Sequence, residues 1–162
     1  VGGHGTVAMF SLEMGAELSG VHWKGKTELP KINYEVTLQA KRTMGSDFFC
    51  GLTFPFKESH ATLILGGWGG SLIGISSLDD FDASENDTGD AYVFEDKKWY
   101  DVRLRVTAEK LQVWLDDKMV IDSDVEGRKV SMRFGEIEMS VPFGICTYAT
   151  TGVLRNIKIK KL

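Results

Sequence analysis

The sequence predicts an all-β protein built from two packed antiparallel sheets, and three observations lead to this prediction. Residues 99–122 read as three consecutive strands joined by short polar turns, which is an antiparallel meander. Strand-like segments recur about every 8–12 residues, with turns between them. No longer stretch has the apolar spacing of a convincing helix. These patterns together favour a two-sheet antiparallel β-sandwich.

The meander has the clearest alternation. Apolar residues at positions 100, 102, 104 and 106 alternate with polar residues at 101, 103, 105 and 107, as expected for a strand with one face in a core and the other in water. Residues 107–110 turn the chain, and the apolar pattern returns at 111, 113 and 115, which leaves Trp114 on the opposite face. A second turn at 116–118 leads into a third strand.

The other elements follow in chain order. In the first part of the chain, strands are expected at 6–12, 18–23, 32–42 and 47–54. Pro55 should end the last of these, because proline cannot donate to a β-ladder. A strand over 60–66 and its return over 72–78 enclose a glycine-rich hairpin that carries Trp68. Residues 79–90 form a long acidic loop. After the meander, strands are expected at 129–134, 136–139, 143–148 and 153–160.

The composition limits the partners of the chain. At 162 residues we expect one domain, 1–162, with a sizeable core. The net charge is -4 and the basic residues are scattered along strands, so nucleic acid is not an expected partner. No apolar run approaches the roughly 18 residues that span a bilayer, so no membrane partner is expected.

Two features concern processing and redox chemistry. The chain starts Val-Gly-Gly-His without an initiator methionine, so we expect a piece excised from a larger polypeptide. Cys50 and Cys146 both fall within expected strands, where a thiol behaves as a small buried hydrophobe. A disulfide between neighbouring strands is the alternative. We expect free thiols.

Several segments resemble a known family. WYDVRL (99–104), VWLDD (113–117), PFGICTY (142–148) and LRNIKI (154–159) resemble the concanavalin A-like, laminin G-like jelly roll. The segments FFCGLTFPF (48–56), ILGGWGG (64–70) and DASEN (82–86) resemble a bacterial branch of the 3-keto-disaccharide hydrolase-like domain family. This resemblance implies attachment to larger exported proteins of polysaccharide-degrading bacteria, and therefore a secreted, periplasmic or cell-envelope location. The fold carries lectins, binding modules and glycosidases alike, so it does not select an activity.

Motifs of catalysis are sparse. Glu136 and Glu138 share one face of an expected strand, but the third carboxylate of a laminarinase-type motif is missing, and a solvated pair is the simpler interpretation. No nucleophile elbow, zinc-protease motif or phosphate-binding loop occurs. The family name implies cleavage of 3-keto sugars, in which a base removes a proton beside the carbonyl and a metal polarises it. His60, at the start of a strand, is the best single candidate for such a site, and a structural histidine is the alternative.

The acidic loop offers oxygen ligands. Asp79, Asp80, Asp82 and Glu85 could supply part of the roughly 6–8 oxygens that calcium takes, and the resemblance implies jelly rolls that commonly hold calcium at a sheet edge. The loop lacks the regular spacing of a dedicated calcium loop, so a solvated acidic loop is the alternative. Asp82, Glu85 and Asn86 could instead hydrogen-bond to sugar hydroxyls.

Sugar binding needs apolar platforms for pyranose faces together with directed hydrogen bonds. Trp68 lies on a glycine hairpin with nothing nearby to bury it, and Trp114 faces away from the core side of its strand. Tyr148 is out of phase with its apolar neighbours, and His60 can both donate and accept. The alternatives are a second apolar layer for Trp114 and Tyr148, and a lid packed on the sheet for Trp68.

The sequence therefore predicts a non-catalytic carbohydrate-binding module for a polysaccharide or oligosaccharide. The glycan would lie across a concave sheet face or its loop rim, where Trp68 and Trp114 would stack on it. His60, Asp82 and Asn86 would hydrogen-bond to it. Two alternatives stay open: a metal-assisted hydrolase or lyase acting on 3-keto-glycosides, and a structural or protein-binding laminin G-like module.

Overall fold

Twelve strands form two antiparallel six-stranded sheets in residues 9–13 and 18–162, which this computed structural model describes. The strands are β1 Phe10–Leu12, β2 Leu18–His22, β3 Tyr34–Gly45, β4 Cys50–Phe56, β5 Ser59–Gly66, β6 Leu72–Ser76, β7 Asp90–Ala91, β8 Tyr100–Val106, β9 Lys110–Leu115, β10 Lys118–Asp124, β11 Gly144–Tyr148 and β12 Thr150–Lys161. Sheet I has the order β1-β12-β3-β8-β9-β10, and sheet II has the order β2-β11-β4-β5-β6-β7. The predicted all-β sandwich is confirmed.

The predicted meander is β8-β9-β10 at one side of sheet I. Its register places Leu104 opposite Val113 and Val102 opposite Leu115, so the apolar residues of neighbouring strands share one face. A one-residue slip would turn this apolar set towards water, which is why the alternation fixes the register. Thr107 Oγ1 accepts a hydrogen bond from the Lys110 amide (3.1 Å) and closes the first turn.

The core lies between the two sheets. In β3 and β8 every second side chain is buried, as predicted from the alternation. β4 is buried along its whole length and lies inside sheet II, between β11 and β5. Cys50 and Cys146 are both buried and are not bonded to each other. Within the described residues, no helix is long and apolar enough to cross a membrane.

Proline does not end β4 as predicted. The strand continues to Phe56, and Pro55 pairs with His60 across the β4–β5 hairpin. On the other side of β4, β11 pairs only as far as Thr53. No strand there needs a hydrogen bond from position 55, so a proline without an amide hydrogen is tolerated within β4. The buried Tyr34 hydroxyl donates to the Pro55 carbonyl.

Other boundaries also differ from the prediction. Of the strand expected at 6–12, only Phe10–Leu12 is observed, and residues 6–8 lie outside the described part of the chain. The strand expected at 129–134 is reduced to one isolated bridge between Val130 and Leu78. The segment expected as a strand at 136–139 is a 3₁₀ helix, Glu136–Ser140. This segment crosses the outer face of sheet II, where its own turns and side-chain hydrogen bonds replace a β-ladder.

Candidate functional site

A glycine-rich turn at the edge of sheet II holds an aromatic ring. Residues Gly67–Gly70 form a tight turn between β5 and β6, in which Trp68 has φ 48° and ψ 53°. This left-handed conformation costs an L-residue about 1–2 kcal/mol, so neighbouring contacts must hold it. The amide after Trp68 donates to Asp47 Oδ2 (3.4 Å), and Arg42 Nη1 donates to the last carbonyl of the turn (3.4 Å).

An open cleft of ≈ 400 Å³ lies beside this turn, on the outer face of sheet II. Ile64 and Ser76 form its floor, because they alternate with core residues of β5 and β6. Residues 133–137 form its roof. The side chains and backbone that line it belong to Leu18, Asp47, Phe48, Ile64, Trp68, Ser76, Arg133, Phe134, Gly135, Glu136, Ile137 and Tyr148.

A row of buried hydroxyls fixes the roof segment to the sheet. Thr53 Oγ1 lies 2.8 Å from Thr62 Oγ1 and 2.7 Å from Ser140 Oγ. Thr62 Oγ1 also donates to the sulfur of Met132 (3.6 Å). A buried network in which each polar group has a partner is rigid, so the roof segment is tied to sheet II at both of its ends, through Met132 and Ser140.

Three exposed aromatic rings line the cleft, including that of Phe134, which is 93% exposed. Trp68 is 42% exposed and Tyr148 is 44% exposed. Tyr148 stacks on Phe48, with ring centroids 6.2 Å apart and planes 29° apart. The guanidinium carbon of Arg133 lies 5.3 Å from the centroid of the Trp68 ring. Such rings present large apolar faces together with a polar edge.

The cleft also contains polar groups that are open to a ligand. The Arg133 guanidinium, the Glu136 carboxylate and the Tyr148 hydroxyl form no hydrogen bond or ion pair with any residue that the structure describes. A cation, an anion and a hydroxyl therefore line the same space as these rings. The arrangement suits a ligand with apolar faces and many hydroxyl groups.

The structure brings together two of the residues predicted to bind sugar and separates the rest. Trp68 and Tyr148 line one cleft. Trp114 is on β9 of sheet I, where it alternates with buried Val113 and Leu115 and so faces outward from that sheet. The two tryptophans thus lie on opposite outer faces of the sandwich and cannot stack on one short glycan.

His60 lies at the other end of β5 from the cleft. It is four residues from Ile64, which is roughly 13 Å along a strand. Burial lowers the pKa of His60 below its ordinary value, so the imidazole is neutral near pH 7. It lines a different groove, together with Trp23 and Lys31.

Asp82 and Asn86 hold the acidic loop in shape. Asn86 Nδ2 donates to the Ile75 carbonyl (2.7 Å) and to a carbonyl of the loop itself, while its Oδ1 accepts from the Thr88 amide (2.9 Å). Asp82 Oδ1 accepts from the amide (3.0 Å) and the hydroxyl (2.5 Å) of Ser84. The hydrogen-bonding groups of Asn86 are therefore directed at the protein rather than at the cleft.

Two of the four carboxylates predicted to bind calcium, Asp79 and Asp80, have basic partners. Asp79 accepts a hydrogen bond from the Lys129 amide and forms an ion pair with Arg128 (3.0 Å), and these bonds, the first above all, lower the pKa of Asp79. Asp80 pairs with Lys129 (2.7 Å). Glu85 is exposed. Within residues 9–13 and 18–162, no three acidic, histidine or cysteine side chains are grouped to hold a metal ion. Calcium in this loop stays a prediction.

The two glutamates considered as a catalytic pair have different surroundings. Both lie on the 3₁₀ helix Glu136–Ser140, and only Glu136 lines the cleft. Glu138 Oε2 instead accepts from the Gly135 amide (3.4 Å) at the start of that helix. Sequence reasoning missed Arg133 and Glu136 as cleft residues, because it placed the segment after Lys129 in strands rather than across the sheet. It also missed Phe48, which precedes β4.

The sequence matches one family model along nearly its whole length. This model, described as the 3-keto-alpha-glucoside-1,2-lyase-like domain, matches residues 10–160. A comparison with curated proteins finds no match.

Solved structures share the fold. The carbohydrate-binding module CBM66 from Bacillus subtilis has a TM-score of 0.60 at 13% identity, over 96% of this chain and 97% of the module. Aspergillus kawachii β-fructofuranosidase complexed with glycerol has a TM-score of 0.58 at 9% identity, over 96% of this chain and 27% of the enzyme. A variant of human galectin-16 has a TM-score of 0.50 at 13% identity, over 94% of this chain and 100% of the galectin. The predicted jelly roll is confirmed.

Proposed function

The chain belongs to the 3-keto-α-glucoside-1,2-lyase-like domain family, and we propose that it is a non-catalytic module that binds a polysaccharide or oligosaccharide in the sheet II cleft. One observation carries the proposal. Trp68 and Tyr148, each more than two-fifths exposed, line the same open cleft. Exposed rings facing one space favour a ligand whose own faces are apolar, as pyranose rings are.

The polar groups of the cleft support a sugar rather than a purely apolar ligand. Arg133, Glu136 and the Tyr148 hydroxyl have no hydrogen-bond partner among the described residues, so they can bond to sugar hydroxyls without breaking internal contacts. Removing such groups from water without new partners would cost free energy. A ligand rich in hydroxyl groups returns those bonds, directly or through water.

The fold of the relatives agrees with this proposal. One similar structure is a carbohydrate-binding module and another is a galectin. We therefore retain Trp68 and Tyr148 from the predicted glycan contacts and add Phe48, Arg133 and Glu136. We also propose, from the family resemblance, that the domain is exported and attached to other domains of a larger chain.

The test is binding to a panel of neutral polysaccharides by affinity electrophoresis, followed by calorimetry with oligosaccharides of the best binder. We expect retardation on at least one glycan, abolished in Trp68→Ala and in Tyr148→Ala. Trp114→Ala removes a tryptophan from the opposite outer face and is the matched control, which should bind normally. Binding to no glycan of the panel would contradict the proposal and favour a protein-binding module. Equal loss in all three variants would show that the cleft is not the site.

A second candidate function rests on Glu136, the carboxylate in the cleft without a hydrogen-bond partner among the described residues. With a 3-keto-glycoside in the cleft, Glu136 would remove the proton from the carbon beside the carbonyl. The electron pair would form a carbon–carbon double bond as the glycosidic C–O bond breaks, and the leaving oxygen would take a proton from water. No described ligand set fits a metal, so no step passes through one.

This alternative is separated from binding by product formation. Incubation with a 3-keto-glycoside should release the leaving group in the wild type and not in Glu136→Gln. His60→Ala serves as a control, because His60 lies outside the cleft. Binding without release would exclude the elimination and leave the module.

A further inference from the structure

The outer face of sheet I carries a second set of functional groups, away from the cleft. Register places Thr37 of β3 between Lys158 of β12 and Arg103 of β8, and Arg103 faces Trp114 of β9. Four side chains thus form one row across four adjacent strands. In the next row Gln39 lies between Arg155 and Asp101. A groove of ≈ 470 Å³ lies over these rows.

A β-bulge in β12 increases the number of polar side chains at this groove. The pairing shifts between Arg155 and Lys158, and Asn156 adopts a left-handed φ of 57°. Arg155 Nε and Asn156 Nδ2 both donate to Gln39 Oε1, at 2.7 and 2.9 Å. Bulges redirect side chains next to functional sites. Here the bulge leaves Arg155, Asn156 and Lys158 on the same side of the strand.

Two arginines of this face, Arg103 and Arg155, lie against aromatic rings and form no ion pair with any described residue. The guanidinium carbon of Arg103 lies 4.3 Å from the Trp114 centroid, and that of Arg155 lies 3.8 Å from the Trp99 centroid. Stacking on a ring fixes the plane of a guanidinium without neutralising its charge, and leaves its N–H edges free. Arg103, whose N–H groups have no partner among the described residues, is therefore preorganised for an anion.

The positive charges at the groove lack acidic partners. Neither Arg103 nor Lys158 forms an ion pair or hydrogen bond with a described residue. Arg105, one row further along β8, is paired with Glu35, with Nε 2.7 Å from Oε2. The unpaired charge is thus local to the row of Thr37, in a chain whose net charge is -4.

We propose that this groove binds an acidic sugar, with the carboxylate of a uronic acid residue held above Thr37 between Arg103 and Lys158. The two cations flank one strand, so their Cα atoms are roughly 10 Å apart and both side chains reach the space over Thr37. A planar guanidinium matches a carboxylate with two parallel hydrogen bonds. The site is independent of the sheet II cleft and binds a different class of glycan.

Carboxylates in the same groove favour a sugar acid over a nucleic acid. Asp101 and Asp117 line the groove beside the cations. These carboxylates find no hydroxyl donor along the backbone of DNA. They can accept hydrogen bonds from the hydroxyls of a uronate, whose single charge is directed at Arg103 and Lys158.

The test is calorimetry of the whole chain with a tetrameric oligogalacturonide at low ionic strength. We expect binding that weakens as salt is added, and at least a tenfold loss of affinity in Arg103→Gln and in Lys158→Gln. Lys57→Gln makes the same change of charge on sheet II and should bind as the wild type does. Trp68→Ala should also bind normally, which separates this site from the cleft.

NMR chemical-shift mapping on the wild-type protein keeps the test valid if a variant fails to fold. Shifts centred on Thr37, Arg103 and Lys158 support the proposal, and shifts centred on the cleft overturn it. Absence of binding at low salt overturns it as well. Equal or tighter binding of single-stranded DNA would show a general anion surface and would also refute a sugar-acid site.

Discussion

Trp68 allows the strain in the glycine-rich turn to be measured. We expect Trp68→Gly to be more stable than Trp68→Ala, although both variants lose the ring. A Cβ in the left-handed region costs about 1–2 kcal/mol, and glycine avoids this cost. Glycine also loses more chain entropy on folding, which offsets about 0.4–1 kcal/mol. Because position 68 has a φ of 48°, the expected difference in unfolding free energy is about 0.5–1 kcal/mol in favour of Trp68→Gly.

Urea denaturation of the two variants measures this difference, and the linear dependence on denaturant gives both free energies. Gly69→Ala is the matched control for the backbone. Gly69 has φ 91°, and a Cβ added there would meet no atom within 4 Å, so its destabilisation of about 1 kcal/mol would be conformational only. An alanine variant at position 68 that equals or exceeds the glycine variant in stability would refute the left-handed turn.

The same two variants test the role of the ring in binding. About 40% of a side chain of roughly 200 Å² is open, so a sugar can cover up to about 80 Å² of Trp68. At about 25 cal/mol per Å² this is worth up to about 2 kcal/mol, or about thirtyfold in affinity. Calorimetry should show the same loss of glycan affinity in Trp68→Gly and in Trp68→Ala. A loss in only one of them would mean that backbone shape, rather than stacking, governs binding.

Four further predictions follow from individual side chains. Tyr148→Phe should keep most of the affinity and Tyr148→Ala should lose it by calorimetry, because stacking is retained only in the first. Burial raises the pKa of Cys146 to about 12 and that of Cys50 further, so a thiol reagent at pH 8 should label both only after unfolding. Burial lowers the pKa of His60, so the imidazole binds a proton more tightly in the unfolded state than in the folded state. The free energy of unfolding should therefore fall as pH drops below about 6.5. Denaturation at several pH values should show a weaker fall in His60→Gln. Arg128→Met removes bonds to Asp79 and Asp87, so amide hydrogen exchange in the acidic loop should accelerate while the β8–β9 strands stay protected.

Local alternation was enough to predict the fold. The pattern around Leu104 and Val113 records which face of each strand meets the core, and the turns between these strands are short. Pairing between such neighbours needs little loop closure. The same kind of local alternation led to a wrong prediction of a strand for the segment at Glu136. This segment alternates in the sequence, but it packs across a sheet instead of joining one, and that choice depends on distant residues such as Thr53.

The candidate site was predicted only in part. Glycines around Trp68 indicated an exposed ring, and the phase of Tyr148 indicated an outward side chain. Both residues do line the cleft. Trp114 was correctly placed away from its core face, but the pattern of one strand does not tell which of two sheets the strand joins. The separation of Trp68 from Trp114 therefore could not be read from the sequence.

The opposed orientation of the two outer faces has a consequence for material properties. The sheets are about 10 Å apart, and each face points away from the other, so one short oligosaccharide cannot reach both Trp68 and Arg103. A single copy with both sites filled would crosslink two separate polysaccharides without forming a dimer. Adding the protein to a mixture of a neutral and an acidic polysaccharide should then raise the viscosity more than adding it to either polysaccharide alone.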